Sequence, residues 1–152
     1  MRPSFDEIFM KMTLLIRERS TCIVRKTGAV LVKNNKVLAV GYNGSPAGTK
    51  HCTDHGICKR REAGLDPGEY RDELCRVVHA EENVLLQAAK FGVSTDGATV
   101  YCYYFPCTMC SKSMINAGIK EIVFAEDYPN ELAKELLQEA GVKVRQFKVD
   151  IS

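Results

Sequence analysis

Apolar residues recur every three or four positions near the start of the chain, and this spacing predicts a helix over 5–19. The residues that set the spacing are Phe5, Ile8, Phe9, Met12, Leu15 and Ile16. Ser4 stands directly before them and is expected to cap the helix, because a serine hydroxyl accepts hydrogen bonds from unpaired backbone N–H groups. The next segment, TGAVLVKNNKVLAVGYNG, contains two β-rich runs and predicts a hairpin that turns at Asn34 and Asn35.

The pattern of regular elements breaks between Asn43 and Cys75. Glycine, proline, histidine, cysteine and charged residues follow one another there without a clear period for about 30 residues. Ordinary connections between elements are much shorter than this segment. We therefore expect a functional loop insertion at about 44–75 within a single domain that spans 1–152.

The remainder of the chain alternates between helical and strand patterns. The predicted helices are HAEENVLLQAAKF from His79, CTMCSKSMINAG from Cys107 and PNELAKELLQEAG from Pro129. The predicted strands are ATVYCYYF, EIVFAE and VKVRQFKV. After a hairpin, this order is typical of an α/β domain in which helices cover both faces of one sheet.

Charge and hydropathy narrow the choice of partners. The formal net charge is +2, which is too small by itself to indicate binding to nucleic acid or to a membrane. No apolar run is long enough to span a bilayer, and the charge-dotted N-terminal segment lacks the pattern of a signal peptide. We therefore expect a cytoplasmic protein with neither membrane nor nucleic-acid partners.

Cysteine is frequent in this sequence, with seven residues. In a reducing compartment thiols are metal ligands or small core residues more often than disulfides. Cys107 and Cys110 stand three positions apart directly after Pro106, at the start of a predicted helix. This spacing places both sulfur atoms on one side of a helical turn, where the positive end of the helix dipole favours thiolates.

His79 and Glu81 stand at the start of the preceding predicted helix and supply an imidazole and a carboxylate. Zn²⁺ accepts one nitrogen and two sulfur ligands, and three protein ligands leave a fourth position for a water that can become a nucleophile. Glu81 is too close in sequence to His79 to be required as a ligand, and it can shuttle a proton. Together these groups suit the hydrolytic removal of an amino group from an amidine-like carbon.

Each half of this pattern also has a simpler interpretation. A pair of cysteines at this spacing can hold a structural zinc or act in redox chemistry, His79 can be an ordinary histidine, and Glu81 can be helix-start charge. The two halves in order, HAE and PCTMC, match the H-x-E and P-C-x-x-C signature of zinc-dependent nucleobase deaminases. The joint pattern favours a catalytic zinc site.

Over most of its length the chain resembles the deoxycytidylate (dCMP) deaminases of the cytidine deaminase superfamily. The similar segments are STCIVRKTGAVLV, GYNGSPAGTKHC, ELCRVVHAEEN, GATVYC, FPCTMCSKSMINAGIKEIVF and DYPN. The resemblance implies a three-layer αβα fold around a five-stranded mixed sheet. It also implies conversion of dCMP to dUMP and ammonia, which supplies dUMP for dTMP synthesis. The implied zinc ligands are His79, Cys107 and Cys110, with Glu81 as the proton shuttle.

The same resemblance implies four substrate-binding residues. Arg25 and Tyr128 would contact the phosphate, with Arg25 favoured over its neighbour Lys26. Asn43 in GYNG would hold the sugar and phosphate region, and the backbone N–H of Ala80 would bind the base carbonyl. On the residues alone, Arg25 and Lys26 are compatible with plain solvated charge, and Asn43 with a turn.

Four further cysteines offer a second metal site: Cys22, Cys52, Cys58 and Cys75. Some members of the family carry a second, structural zinc in this region, and Cys22 and Cys52 fall in the matching segments. A closed four-ligand site would stabilise a long loop that lacks its own core. Cys58, Cys75 and His55 compete for the remaining positions, and all of these thiols are equally compatible with small buried side chains.

Members of the family are commonly hexamers that are activated by dCTP and inhibited by dTTP. The resemblance therefore implies a homohexamer with these effectors, bound around GYNGSPAG, although some members lack the control. Cys102 is expected in the core, and Tyr103 or Tyr104 is expected either to stack on the base or to pack in the core.

Two other functions share parts of this pattern. A nucleic-acid deaminase, such as a tRNA adenosine editor, has the same metal signature but needs an exposed basic surface, and the near-neutral charge speaks against it. A non-catalytic zinc protein used for interaction or DNA uptake needs neither Glu81 nor an open metal position. The sequence has Glu81 and the pattern of an open metal position, and both speak against this function.

Overall fold

The computed structural model describes residues 1–64 and 74–151, so part of the insertion expected at about 44–75 lies outside the described residues. The helices are α1 (Phe5–Ile16), α2 (Cys52–His55), α3 (Lys59–Glu62), α4 (Ala80–Phe91), α5 (Thr108–Asn116) and α6 (Glu131–Glu139). The strands are β1 (Gly28–Lys33), β2 (Lys36–Tyr42), β3 (Thr99–Tyr104), β4 (Glu121–Glu126) and β5 (Lys143–Gln146). A short 3₁₀ turn, Arg17–Arg19, follows α1 and completes the helical segment predicted there.

Several of these elements begin or end where local chemistry requires it. Ser4 caps α1 as predicted, since its hydroxyl accepts a hydrogen bond from the Glu7 N–H at 3.1 Å. Asn34 and Asn35 form the hairpin turn with φ angles of 51° and 59°, a left-handed conformation that asparagine tolerates better than most residues. Gly92 ends α4 with a φ of 69°.

The five strands form one mixed sheet in the order β2-β1-β3-β4-β5. β1 is antiparallel to both β2 and β3, whereas β3 and β4 are parallel, as are β4 and β5. The helices α5 and α6 provide the crossovers that these parallel pairs require. The α/β class and the five-stranded mixed sheet that the sequence predicted are confirmed.

Helices cover both faces of the sheet. On one face α4, α5 and α6 bury Val84, Met114 and Leu137 in the larger apolar cluster. On the other face α1 buries Phe9 and Met10. The result is the expected three-layer αβα arrangement. None of the described helices reaches the length of a bilayer span, since the longest, α1 and α4, have 12 residues each.

Two features differ from the sequence prediction. Within the segment predicted to lack a regular pattern, α2 and α3 are helices of four residues each, which is too short for a hydrophobic period to register. β5 ends at Gln146, before the end of its apolar run. The Phe147 N–H still donates to the Phe124 carbonyl, and beyond it the Ala125 carbonyl accepts from the Gln146 side chain and the Glu126 carbonyl from the Phe105 N–H.

Gly41 of β2 allows the start of α4 to lie directly against the sheet. A Cβ atom at this position would stand 2.6 Å from the Ala80 carbonyl oxygen and 3.0 Å from the Val84 nitrogen. The first turn of α4 follows His79 and carries Glu81, so this close approach fixes both residues relative to the strands.

Candidate active site

The N-termini of α4 and α5 meet at the edge of the sheet where the parallel strands have their carboxyl ends. His79 is the N-cap residue of α4, and Cys107 is the N-cap residue of α5. The Cys107 sulfur accepts a hydrogen bond from the Cys110 N–H at 3.4 Å, as an N-cap side chain does. Because both helices point their positive ends at the same place, negative charge is stabilised there.

Three potential metal-binding atoms converge at this point. His79 Nδ1, Cys107 Sγ and Cys110 Sγ all lie within 4.8 Å of one another. Nδ1 is 3.5 Å from each of the two sulfur atoms. Tetrahedral zinc with bonds of about 2.3 Å to sulfur and about 2.1 Å to nitrogen separates these ligand atoms by about 3.6 Å, so the side chains fit this ion. Across 1–64 and 74–151 no second group of this kind is found.

The two thiols differ in acidity. A hydrogen bond from the Cys110 thiol, supported by those from the His79 ring and the Cys110 N–H, lowers the pKa of Cys107 to about 4. The same bond between the sulfur atoms, together with burial, raises the pKa of Cys110. The pair therefore holds a thiolate beside a thiol at neutral pH, which is a donor set that attracts zinc.

Glu81 is the second residue of α4 and is only 7% exposed. Burial raises the pKa of its carboxyl group, and the neighbouring His79 opposes this in part. Glu81 and His79 line the same cavity. A carboxyl group that is shielded from bulk water, with its pKa raised, is suited to exchange protons with a bound ligand.

The cavity that contains these groups has a volume of about 240 Å³. The loop before β1 and the residue after β2 contribute to its lining, as do α3, the segment before α4 and the residues at and after the ends of β3 and β4. Besides His79 and Glu81, the lining residues are Cys22, Val24, Arg25, Thr27, Asn43, Arg60, Cys75, Val77, Tyr104, Phe105, Pro106, Cys107 and Tyr128. A larger cavity of about 530 Å³ lies at the opposite edge of the sheet, beside Ser4 and Lys33. It contains none of the metal-binding side chains, so chemistry rather than size identifies the site.

Arg25 brings a positive charge to this cavity. Its guanidinium carbon lies 4.4 Å from the ring centre of Tyr104 and 5.3 Å from that of Tyr128. Both distances are within the range of favourable cation–π contacts. Lys26, the neighbouring cation, lies outside the cavity lining and pairs with Glu18 at 3.6 Å. The two basic residues that the sequence left as alternatives therefore have different surroundings.

Asn43 is 7% exposed and connects three parts of the loop before β1. Its Oδ1 accepts hydrogen bonds from the Ser20 hydroxyl at 2.6 Å and the Thr27 N–H at 2.9 Å. Its Nδ2 donates to the Arg25 carbonyl at 2.7 Å. This pattern uses the oxygen fully and leaves one amide N–H for another acceptor. Asn43 is therefore more than a turn residue.

Comparison with known proteins identifies the family. The family profile described as the cytidine and deoxycytidylate deaminase zinc-binding region matches residues 3–126. The chain belongs to this family. It is a zinc-dependent hydrolytic deaminase, in agreement with the chemistry of the His79, Cys107 and Cys110 group.

Individual relatives match nearly the whole of this chain. "ComE operon protein 2" of Bacillus subtilis (strain 168) is 43% identical over 150 residues, which cover 98% of this chain and 74% of that protein. "Deoxycytidylate deaminase" of Schizosaccharomyces pombe (strain 972 / ATCC 24843) is 42% identical over 147 residues, 96% of this chain and 45% of that protein. The deaminase thus spans about half the length of the yeast protein.

A solved structure has the same fold. The dCMP deaminase from the cyanophage S-TIM5, in complex with dCMP and dUMP, superposes with a TM-score of 0.77 and is 34% identical. The match covers 97% of this chain and 99% of the phage chain. This likeness supports the three-layer arrangement and the family assignment together.

The remaining residues predicted for the deaminase site occupy different positions. Ala80 is fully buried in the core, and its side chain does not line the cavity. Its backbone N–H belongs to the first turn of α4, where N–H groups have no acceptor within the helix. Cys102 is fully buried, as predicted. Of the adjacent tyrosines, Tyr103 is buried in the core, whereas Tyr104 is partly buried against the same apolar cluster and also lines the cavity.

The cysteines predicted for a second metal site do not form a metal-binding group within the described residues. Cys52 and Cys58 are buried, whereas Cys22 and Cys75 line the active-site cavity. Burial raises the pKa of the Cys75 thiol, and the nearby Cys22 and Cys58 contribute in the same direction. These three thiols are therefore neighbours, although their atoms are not gathered as His79, Cys107 and Cys110 are.

Arg60 of α3 lines the cavity and was missed by the sequence analysis. It stands in the charged run KRRE, and a local run of charge does not distinguish a solvated side chain from one that faces a cavity. For the adjacent tyrosines the sequence does not decide between base and core, because helices cover both faces of the sheet and apolar side chains are buried on each.

Proposed function

We propose that this deaminase converts dCMP to dUMP with release of ammonia. The observation that carries the proposal is that one cavity is lined by the metal-binding side chain of His79, by the Glu81 carboxyl group and by Arg25, a cationic partner for a phosphate group. The phage neighbour whose structure contains dCMP and dUMP supports this substrate. The similarity to the yeast protein named deoxycytidylate deaminase supports it as well.

We assign the catalytic zinc to His79, Cys107 and Cys110. The nitrogen-to-sulfur separations of 3.5 Å support this ligand set. Zinc with three protein ligands supplies a nucleophile from water at neutral pH. The lowered pKa of Cys107 keeps a thiolate ready for binding, so the protein's own hydrogen bonds favour the metal-binding form of the site.

Glu81 is the proposed proton shuttle. Its carboxylate accepts one proton from the attacking water and passes it to the ring nitrogen N3, then accepts the second proton from the new hydroxyl on C4 and passes it to the departing amino group. One C–O bond forms at C4 of cytosine and the C4–N bond breaks, so ammonia leaves and the uracil carbonyl remains. The shielded position of Glu81 supports this role, because burial raises the pKa of the carboxyl group and so favours its holding the proton that it takes from the water.

The substrate is held by four further residues in this proposal. Arg25 donates to the phosphate oxygens, and Tyr128 contacts the same group. Asn43 offers its remaining amide N–H to the sugar and phosphate region. The backbone N–H of Ala80 donates to the base carbonyl, which the first turn of a helix permits because this N–H has no helical acceptor.

Four finer assignments complete the proposal. A second, structural zinc bound by Cys22, Cys52, Cys58 and Cys75 is supported by the proximity of three of these thiols, and zinc analysis with two ions per chain would establish it.

Regulation by dCTP and dTTP and a homohexameric assembly follow from the family resemblance. The match over 3–126 and the one continuous sheet support a single domain over 1–152 with an insertion at about 44–75.

The compartment follows from thiol chemistry. Cys107 and Cys110 bind zinc only while they are reduced, so we place the protein in a reducing compartment such as the cytoplasm.

The decisive experiment is chromatographic detection of product from dCMP and, in parallel, from deoxycytidine, with zinc-loaded protein. We expect dUMP from dCMP and little deoxyuridine from deoxycytidine, because only the nucleotide has a phosphate group for Arg25 to bind. If neither substrate reacts, dCTP is added as an activator. Continued inactivity of a folded, zinc-loaded sample with dCTP would reject the proposal.

A further inference from the structure

We propose that Tyr104 is a positioning residue for phosphate recognition. Its ring, together with that of Tyr128, holds the Arg25 guanidinium at the cavity so that the phosphate of a pyrimidine mononucleotide meets a cation that is already oriented. This inference rests on the proposed function and deepens it, since it names what selects a nucleotide over a nucleoside.

The two rings reach the cavity because of the parallel pairing of β3 and β4. Tyr104 is the last residue of β3 and lies beside Glu126, the last residue of β4. Tyr128 follows two positions later. Parallel strands end at the same edge of a sheet, so the two tyrosines leave that edge as neighbours and both line the cavity.

Arg25 depends on these rings for its orientation. Among residues 1–64 and 74–151, its guanidinium has no carboxylate partner within ion-pair distance, and its guanidinium carbon lies 4.4 Å from the ring centre of Tyr104 and 5.3 Å from that of Tyr128. A guanidinium stacked on aromatic rings uses its faces and keeps its in-plane N–H groups for a phosphate. An arginine restrained in this way loses less conformational entropy when the phosphate binds.

The backbone of the same residue is restrained separately. Asn43 accepts from the Thr27 N–H and donates to the Arg25 carbonyl, so the main chain beside Arg25 is attached to the end of β2. The hydrogen bonds therefore fix where the Arg25 side chain starts, and the rings fix where its charged end lies. Both are needed for an oriented cation.

A second arginine–tyrosine contact in the chain provides a matched control. The Arg17 guanidinium carbon lies 4.8 Å from the ring centre of Tyr103, the residue before Tyr104. Neither Arg17 nor Tyr103 lines the active-site cavity. Arg17→Gln removes this contact, and its KM shows whether the loss of an arginine–tyrosine pair near the end of β3 affects catalysis simply by lowering the stability of the protein.

The test compares Tyr104→Leu, Tyr104→Phe and Arg17→Gln with the zinc-loaded wild-type protein. For Tyr104→Leu we expect the KM for dCMP to rise about tenfold with kcat nearly unchanged, and the KM for deoxycytidine to stay the same. Tyr104→Phe keeps the ring and is expected to restore most of the lost affinity. Arg17→Gln should have the wild-type KM. The affinity for dUMP, measured by calorimetry and so independent of turnover, should follow the same order, whereas the affinity for deoxyuridine should stay the same in all variants.

Two results would overturn the inference. Equal weakening of nucleotide and nucleoside binding in Tyr104→Leu would show that the ring contacts the base, and a Tyr104→Phe variant as weak as Tyr104→Leu would show that the hydroxyl matters. If Tyr104→Leu does not fold, Tyr104→Met also removes the ring and keeps an apolar side chain, and it is expected to give the same selective loss. An inactive wild-type protein that still binds dUMP with the expected order of variants would reject the proposed function alone.

Discussion

The side-chain amide of Asn43 donates to the backbone carbonyl of Arg25 across 2.7 Å and so joins the end of β2 to the loop that carries the proposed phosphate ligand. The same side chain accepts from Ser20 and Thr27 on either side of Arg25. Asn43 thus supports the substrate site indirectly as well as through its remaining N–H. This double role leads to the first prediction.

Asn43→Ala is expected to raise the KM for dCMP more than that for deoxycytidine, because the loop around Arg25 loses its attachment. It should also lower the free energy of unfolding by roughly 1–3 kcal/mol, since buried hydrogen-bond partners lose their acceptor or donor. Steady-state kinetics and urea unfolding measure the two effects. An equal rise in KM for both substrates would instead place Asn43 on the sugar or base.

Glu81→Gln is expected to reduce kcat by about 10²- to 10⁴-fold, because the amide has the shape of the carboxyl group but cannot shuttle protons. Zinc content and the melting temperature should remain close to those of the wild type. Glu82→Gln, a change of the same kind at the next residue of α4, is the control and should keep its activity. A fully active Glu81→Gln protein would remove the proton-shuttle assignment.

Cys107→Ala is expected to lose the catalytic zinc, since the site would retain only one nitrogen and one sulfur ligand. Metal analysis by mass spectrometry, after dialysis against a weak chelator, is the measurement. Cys102→Ala removes a fully buried thiol outside the site and should retain the ion. Unchanged zinc content in Cys107→Ala would move the catalytic metal elsewhere.

Asp6 and Arg145 join α1 to β5 through two hydrogen bonds of 2.7 and 2.8 Å. The hydrogen bonds from Arg145 lower the pKa of Asp6 below its ordinary value of 3.8. A carboxyl group with a lowered pKa in the folded state stabilises the protein at pH values above its unfolded pKa. This contribution is lost as the pH falls through the folded pKa.

Asp6→Asn should therefore lower the free energy of unfolding by about 1–2 kcal/mol at pH 7, and the difference from the wild type should shrink below about pH 4. Denaturant unfolding at a series of pH values measures this. Glu7→Gln breaks the exposed pair with Lys11 and should cost less than about 0.5 kcal/mol. If the free energies of unfolding of Asp6→Asn and the wild type differ by the same amount at every pH, the lowered pKa of Asp6 in the folded state is contradicted.

Much of the fold follows from signals that are local in the sequence. The Ser4 cap, the turn at Asn34 and Asn35 and the stop at Gly92 each depend on the chemistry of one or two residues, and the structure has all of them. The alternation of helices and strands likewise predicted the α/β class. The end of β5 could not be predicted, because it depends on hydrogen bonds to β4, which is distant in the sequence.

The candidate metal-binding group was also predicted from the sequence, because its residues lie in two short motifs at helix starts, HAE and PCTMC. Only the tertiary structure decided that Arg25 lies over Tyr104, that Asn43 holds the loop of Arg25, and that the thiols of the insertion do not gather as His79, Cys107 and Cys110 do. The physical reason is distance along the chain. The residues of a short motif lie within one helical turn of each other wherever the helix is placed. Contacts between distant segments form only when strand pairing and core packing bring those segments together.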